Sequence, residues 1–531
     1  MKKVLSYLLI ASAFFVTSCN EDLTETFAPG QLTEDVAIVT SSDLRQLLNS
    51  GYNIMARREA AVFTSVFTDE ATRGFNNGGQ GVSAEIVFNI FPASAAPTNI
   101  WQNYYFALAR INRVIARADV ITPASADDAQ VIARIKAEAL ILRAYAHLDI
   151  LAYFSPDMKD NAALAGVLSD RVILTSETPL RSTNEAFYTL IHSDLDAALA
   201  TLSTNTAAPP ATTQPNGSTF YVTRNFAKGL KARAYAYKGD YANAEIWADD
   251  VISTSGIVLA NPAQYRLLFW NDNEAANTEV IFRLRRTVQQ NSQDFNLHNG
   301  WCSIRPSAGG SPFYEISRSL FNILNPNNHA ASSAAFNAIP DVRARVIVAP
   351  SSVVDANWLT VDDFLNADRL VLHKHGGVAT GSNTAATSAA NAFHNDFKIM
   401  RISEMYLIKA ECRANAGDLA GAASAVDAIR DARFGSNQVA PTYANATAAW
   451  KGILDERRLE LAFEGFRFID IKRIGSLAGI TGLDRHPRDY DGLNIPGGNP
   501  ANLPLNSFKF ALPIPQSEIN ANGAIQQNPG Y

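Results

Sequence analysis

Apolar residues recur at three- and four-residue steps through long stretches of this chain. Ile135, Ala139, Leu142, Ala146, Ile150 and Tyr153 fall on one face of a helix at that spacing. Residues 101–119 and 184–202 carry the same period, and Leu459, Ala462, Phe466 and Ile469 mark a late helix. Two other stretches repeat each other. KARAYAYKGDYANAEIWADDV (231–251) and KAECRANAGDLAGAASAVDAI (409–429) agree at eight of 21 positions without gaps. Both break at Gly-Asp (Gly239-Asp240 and Gly417-Asp418) and resume with alanines, Ala242 and Ala244 in one and Ala420 and Ala422 in the other. Each copy predicts helix, tight turn, helix, with alanines small enough for the paired helices to approach closely. Arg143–Ala146 and Arg233–Ala236 share the letters RAYA, which ties the earlier helix to the same scheme.

The helix-turn-helix pattern resembles tetratricopeptide repeats, whose period is about 34 residues. The copies stand far apart, so the pattern predicts a mainly α fold: a tetratricopeptide-like helical scaffold interrupted by long loops and short β insertions. Residues 203–218 (STNTAAPPATTQPNGS), 376–391 (GGVATGSNTAATSAAN) and 484–506 are rich in small, polar and breaker residues and read as loops. Residues 257–375 alternate short β-like runs, such as VIFRL at 280–284, with Gly, Pro and Asn. Long loops on a rigid scaffold are where binding concentrates.

The N-terminus follows another logic. Met1-Lys2-Lys3 precedes an almost wholly apolar run from Leu5 to Val16. That run is shorter than the ~20 residues a spanning helix needs, so residues 1–18 read as a secretory signal. It ends Val16-Thr17-Ser18-Cys19, which resembles a bacterial lipobox, in which the cysteine becomes the first mature residue and carries lipid. Several acyl chains anchor stably, since each buried methylene contributes about 0.8 kcal/mol. Asn20-Glu21-Asp22 resembles the acidic export tag of Bacteroidetes surface lipoproteins.

Composition changes the picture in two places. Removing residues 1–18 takes away Lys2 and Lys3 and moves the formal net charge from −6 to −8, which argues against a nucleic-acid partner. Cys302 and Cys412 remain; spacing leaves a disulfide between them open, and the reading taken is two free thiols, with Cys412 as a small core residue on a helix.

Three stretches identify a family. They are LRAYAHLD (142–149) running into Tyr153-Phe154, ERRLELAFEGFRFIDIKR (456–473), and the ending LPIPQSE (512–518) with QNPGY (527–531). With the lipobox and the Trp101-x-x-Tyr104 helix start, they resemble the SusD/RagB family from Cys19 to the last residue. The resemblance implies one domain over 19–531, with an N-terminal part to about 255 and a C-terminal part from about 256. It implies four tetratricopeptide-like units, an outward-facing outer-membrane lipoprotein anchored at Cys19, and a SusC-like TonB-dependent barrel as partner. Such proteins bind oligosaccharides, or peptides in the RagB branch, and are not enzymes. Tyr153-Phe-Ser-Pro156 departs from the family's common Tyr-Gly-x-x-Pro, which alters a turn.

A sugar site wants flat aromatic platforms with hydrogen-bonding groups at their edges. The candidates outside the repeats are Trp301 in NLHNGWCSIR (296–305), Trp270 before Asn271-Asp272, Tyr314, Trp358, and Phe75 in DEATRGFNN (69–77) with Asp69, Arg73 and Asn77. Trp101, Trp247 and Trp450 ride helices and read as core. Three rivals stand beside glycan capture: a peptide ligand, a structural scaffold with no ligand, and a glycoside hydrolase using Glu460 and Glu464. Glu456, Glu460 and Glu464 lie four apart on the expected late helix, a single row unlike carboxylates facing across a cleft. The interleaved Arg457, Arg458, Arg467, Lys472 and Arg473 offer ion pairs instead. No cofactor or metal is expected. His373 and His375 lack clustered partner ligands, and Asn271–Glu274 offers oxygen ligands for calcium without matching an EF-hand loop.

Overall fold

The stripe from Ile135 to Tyr153 forms the middle of a 29-residue helix, Ala126–Phe154, whose second half is buried on every side. Ser125 caps it by accepting the Asp128 N–H at 3.1 Å. The structure, a computed structural model, describes residues 34–55, 59–75, 83–208, 217–270, 277–285, 314–374, 396–490 and 502–531. Its helices of six residues or more are α1 (Ser41–Met55), α2 (Glu59–Phe67), α3 (Ala95–Ala118), α4 (Ala126–Phe154), α5 (Asn184–Thr204), α6 (Arg224–Lys238), α7 (Tyr241–Thr254), α8 (Pro262–Trp270), α9 (Arg318–Leu324), α10 (Val342–Ile347), α11 (Ile402–Asn415), α12 (Leu419–Phe434), α13 (Ala446–Glu460), α14 (Arg467–Ile474) and α15 (Gln516–Ala521).

Helix packing follows one line through the molecule. α1 packs on α3, α3 on α4, α4 on α5, α5 on α6, α6 on α7, α7 on α11 and α11 on α12. These make four helix pairs among the described residues, as the tetratricopeptide reading predicts. The two sequence copies are α6–α7 and α11–α12, and they lie against each other through α7 and α11. Gly239 and Gly417 adopt left-handed backbone (φ 83° and 77°) that ends the first helix of each copy without the Cβ clash other residues incur. The following aspartates cap the second helix: Asp240 accepts the Asn243 N–H at 3.2 Å, and Asp418 accepts that of Gly421 at 2.8 Å. Of the alanines, Ala244 and Ala422 are buried, whereas Ala242 and Ala420 are exposed. Residues two apart on a helix cannot share a face.

The region after α7 departs from expectation. Besides strands it holds α8, α9 and α10, too short to show a helical period but locally capped. Ser317 accepts the Leu320 N–H at 3.2 Å and Asp341 that of Arg343 at 2.9 Å. The strands form four antiparallel pairs: β1 (Ala71–Arg73) with β5 (Tyr314–Ile316), β2 (Leu164–Val167) with β3 (Arg181–Thr183), β4 (Val280–Leu284) with β6 (Phe397–Arg401), and β7 (Gly482–Asp484) with β8 (Asn502–Pro504). The main apolar core runs from Ile38 to Ile525, and a second core underlies the β1–β5 pair. Trp101 and Trp450 are buried in the main core, with Trp247 packed on it half-buried. Cys412 is a buried free thiol. Among the described residues no helix is long and apolar enough to cross a membrane.

Candidate functional site

β1 and β5 bring Phe75 and Tyr314 together. Arg73 sits opposite Tyr314 in the ladder, and the Phe75 N–H two residues on donates to Glu315 Oε1 at 2.7 Å. The other oxygen of Glu315 accepts the Leu370 N–H at 2.8 Å, and the Ile316 N–H donates to the Leu370 carbonyl at 2.9 Å. Residues 368–370 therefore lie along β5. The Arg369 guanidinium stands over the Phe75 ring, 5.1 Å from its centroid. Its neighbour Asp368 pairs with Arg318, which stands 4.3 Å over the Trp358 ring. His486 packs on the same indole at 5.1 Å. Phe75 keeps 36% of its surface and Trp358 is half-buried. Two partly accessible aromatic rings are thus linked to one short segment, Phe75 through Arg369 and Trp358 through Arg318 and Asp368, each with a guanidinium over its ring.

The other expected residues fall differently. Asp69 is buried, and Arg467 grips both its oxygens at 2.8 Å while Arg458 approaches to 3.2 Å. Burial opposes its charge, but the two guanidiniums outweigh that and hold the carboxyl well below its usual range. Arg73 is buried in β1. Tyr314 is half-buried, and burial raises its phenol. Trp270 closes α8. Trp301, Asn77, Cys19, Asn271–Glu274 and His375 lie outside the described residues. His373 is buried, which lowers its imidazole to about 3, and no trio of metal-ligating side chains occurs among the described residues. Arg318, Arg369 and His486 were missed by sequence reasoning. They come from three separate segments, and no local pattern marks them.

The carboxylate row requires a correction. α13 ends at Glu460, and Glu464 lies in a turn where Phe463 and Gly465 take positive φ (62° and 90°). Leu459, Ala462, Phe466 and Ile469, read as one helical face, pack into three different apolar clusters. The apolar period survives because each side of the break buries its own face. All three glutamates are buried and bound. Arg343 reaches Glu456 at 2.6 Å, Arg401 and Arg433 reach Glu460 at 2.6 and 2.7 Å, and Lys374 and Arg401 reach Glu464 at 2.7 Å. Against the cost of burial, Arg433 and Arg401 hold Glu460 well below the usual carboxylate range. A carboxylate so placed has no proton to give and no exposed lone pair to attack with.

Two nearby acids behave in the opposite way. Burial pushes Glu70 up to about 7 and Glu315 to about 8. Glu70 Oε1 has no hydrogen-bond partner, which suits a protonated carboxyl. The folded state thus keeps protons that the unfolded chain sheds above about pH 4.5. The stabilisation is complete below that value and is lost as pH rises through 7 and then 8. Urea midpoints measured from about pH 5 to about pH 9 should fall, and Glu70→Gln with Glu315→Gln should flatten the decline.

The chain resembles known proteins in both halves. Residues 31–223 match the family model described as starch-binding associating with outer membrane, and residues 366–531 match that of the SusD family. The chain belongs to the SusD/RagB family. Solved structures share the fold. A SusD superfamily protein of Bacteroides thetaiotaomicron is 23% identical, with TM-score 0.69, covering 92% of this chain and 100% of its own. A SusD-like carbohydrate binding protein of Bacteroides vulgatus is 19% identical, with TM-score 0.66 and coverages of 92% and 97%. A laminarin binding SusD-like protein is 21% identical, with TM-score 0.63 and coverages of 93% and 100%. No curated protein sequence matches. At these identities the structural matches establish the SusD-like fold.

Proposed function

We propose that this SusD/RagB protein is a lipid-anchored surface protein, tethered through Cys19, that captures oligosaccharides and delivers them to a SusC-like TonB-dependent barrel. The observation that carries the reading is the pair of partly accessible rings, Phe75 and Trp358, both linked to residues 368–369 through guanidinium groups. Flat apolar faces suit the C–H faces of sugar rings, and guanidinium stacking keeps them oriented. The carbohydrate and laminarin ligands of two fold relatives support a glycan over a peptide. Trp301, Asn77 and Trp270 are proposed to join the site, with Tyr314 at its edge. Asp69 and Arg73 support it from beneath. The reading is non-catalytic, because Glu460 and Glu464 are neutralised in place.

The test is affinity electrophoresis of the soluble chain, residues 20–531, through gels containing starch, laminarin and a wider polysaccharide panel. One glycan should retard it. Phe75→Ala, Trp358→Ala and Trp301→Ala should each weaken retardation about tenfold. Retardation unchanged in all three would remove the site, and binding to peptides alone would replace the ligand.

A further inference from the structure

A cleft of about 540 Å³ lies well outside this site in the chain, where the C-terminal motifs meet the end of α4. Pro156–Lys159 form one wall, Lys472, Arg473 and Ser476 another, and the turn Leu505–Phe508 with Pro529 a third. Its volume is in the range of small-ligand sites.

The charge on these walls is unbalanced. Arg473 is matched by Glu411 at 2.5 Å and Asp470 at 3.1 Å. Lys472 forms no close ion pair among the described residues, and Asp157 acts on it only at longer range. Its Nζ donates to the Ala152 and Ser155 carbonyls, and an ammonium has three N–H groups. Burial lowers it to about 7, and the charge of Asp157 only partly offsets that. The Lys159 side chain makes no hydrogen bond or ion pair among the described residues. The lone carboxylate among the lining residues, Asp157, accepts the Lys159 backbone N–H at 2.9 Å. Phe508 lines the same cleft and keeps 42% of its surface. Tyr531 holds it edge-on at 4.8 Å, and Gly530 packs so closely that a Cβ there would stand 2.3 Å from the ring. Ser476, Ser507 and Asn506 add hydroxyl and amide groups at the rim.

We propose that this cleft is a second binding site, for an acidic saccharide unit bearing a carboxylate of the uronic-acid type. The carboxylate would take the open donor of Lys472 and the ammonium of Lys159, while the sugar ring rests on Phe508. A neutral sugar would leave a positive charge over, since Asp157 is a single carboxylate shared between the two ammonium groups, and an acid without a sugar ring would leave Phe508 uncovered.

Isothermal titration with trigalacturonate, maltotriose and sodium acetate tests this. Trigalacturonate should bind the full mature chain. Lys159→Ala and Phe508→Ala should each weaken it about tenfold, whereas Phe75→Ala and Trp358→Ala should leave it unchanged. Lys472→Met should abolish it, but because Lys472 also ties down two carbonyls, the two former variants carry the test. No binding of trigalacturonate, equal binding of maltotriose or acetate, or binding insensitive to both Lys159→Ala and Phe508→Ala would overturn the proposal. Loss in Phe75→Ala alone would place the acidic glycan at the first site and overturn it equally. Failure here leaves the capture reading standing, since its test uses other residues and other gels.

Discussion

Glu460→Ala should destabilise the protein by about 3–5 kcal/mol, a large share of the 5–15 kcal/mol that holds a typical domain together. Glu460 is fully buried between Arg401 and Arg433, and both guanidiniums also bond Glu279. Five cations, Arg343, Lys374, Arg401, Arg430 and Arg433, meet five carboxylates, Glu279, Asp341, Glu456, Glu460 and Glu464. The charges balance within the network, so removing one carboxylate leaves a buried positive charge with no water to solvate it. The members come from the approach to β4, from α10, from the end of β6 and from α12 and α13. The cluster therefore ties the inserted region to the helical scaffold. Glu460→Gln keeps the shape but not the charge, and should fall in the same direction by less. Urea denaturation at pH 7 checks both, as a lower midpoint with unchanged slope. A change under about 0.5 kcal/mol for Glu460→Ala would show that the network is electrostatically idle. Depressed carboxylates such as Glu460 and Glu464 lose their contribution as pH falls, opposite to Glu70 and Glu315. Stability should therefore peak between the two regimes.

Helices with several turns were legible because burial of one face imposes a period on the sequence. α5 was read to within two residues at both ends and the C-terminal ends of α3 and α4 to within one, while those two helices begin six and nine residues before the stretches read as helical, and the Gly-Asp breaks located the α6–α7 and α11–α12 turns. The short helices α8, α9 and α10 were not legible, since one or two turns show no period. The break between α13 and α14 was hidden for the opposite reason, as an apolar rhythm ran through it into separate cores. For the candidate site, the sequence offered aromatics outside the repeats, and of these Phe75 and Trp358 are linked to residues 368–369 through Arg369 and Arg318. Their guanidinium partners depend on contacts between residues far apart in the chain, such as Arg369 with Phe75, and no local window contains both. Asp69 looked like a loop ligand because its partner, Arg467, lies 398 positions away.

Phe468→Ala should cost about 3–5 kcal/mol, through lost burial and the cavity left behind. Phe468 is fully buried near the start of α14 and touches four other rings. Tyr153 stacks on it at 5.8 Å with planes 10° apart, Phe510 lies at 5.8 Å, and Phe63 and Phe67 meet it edge-on at 5.4 and 5.6 Å. One side chain thus joins α2, α4, α14 and the C-terminal segment, which explains why an aromatic stands there in the FRFIDIKR stretch. Further along the same helix, Lys472 ties the end of α4 through the Ala152 and Ser155 carbonyls. Phe468→Leu fills much of the space and should cost less, about 1–2 kcal/mol. Phe508 supplies the contrast, because it belongs to the same C-terminal aromatic group yet is 42% exposed. Phe508→Ala should change stability by under about 1 kcal/mol while weakening ligand in the cleft. Equal losses for the two alanine variants would mean that Phe508 is a structural ring, and the cleft would then lose its platform.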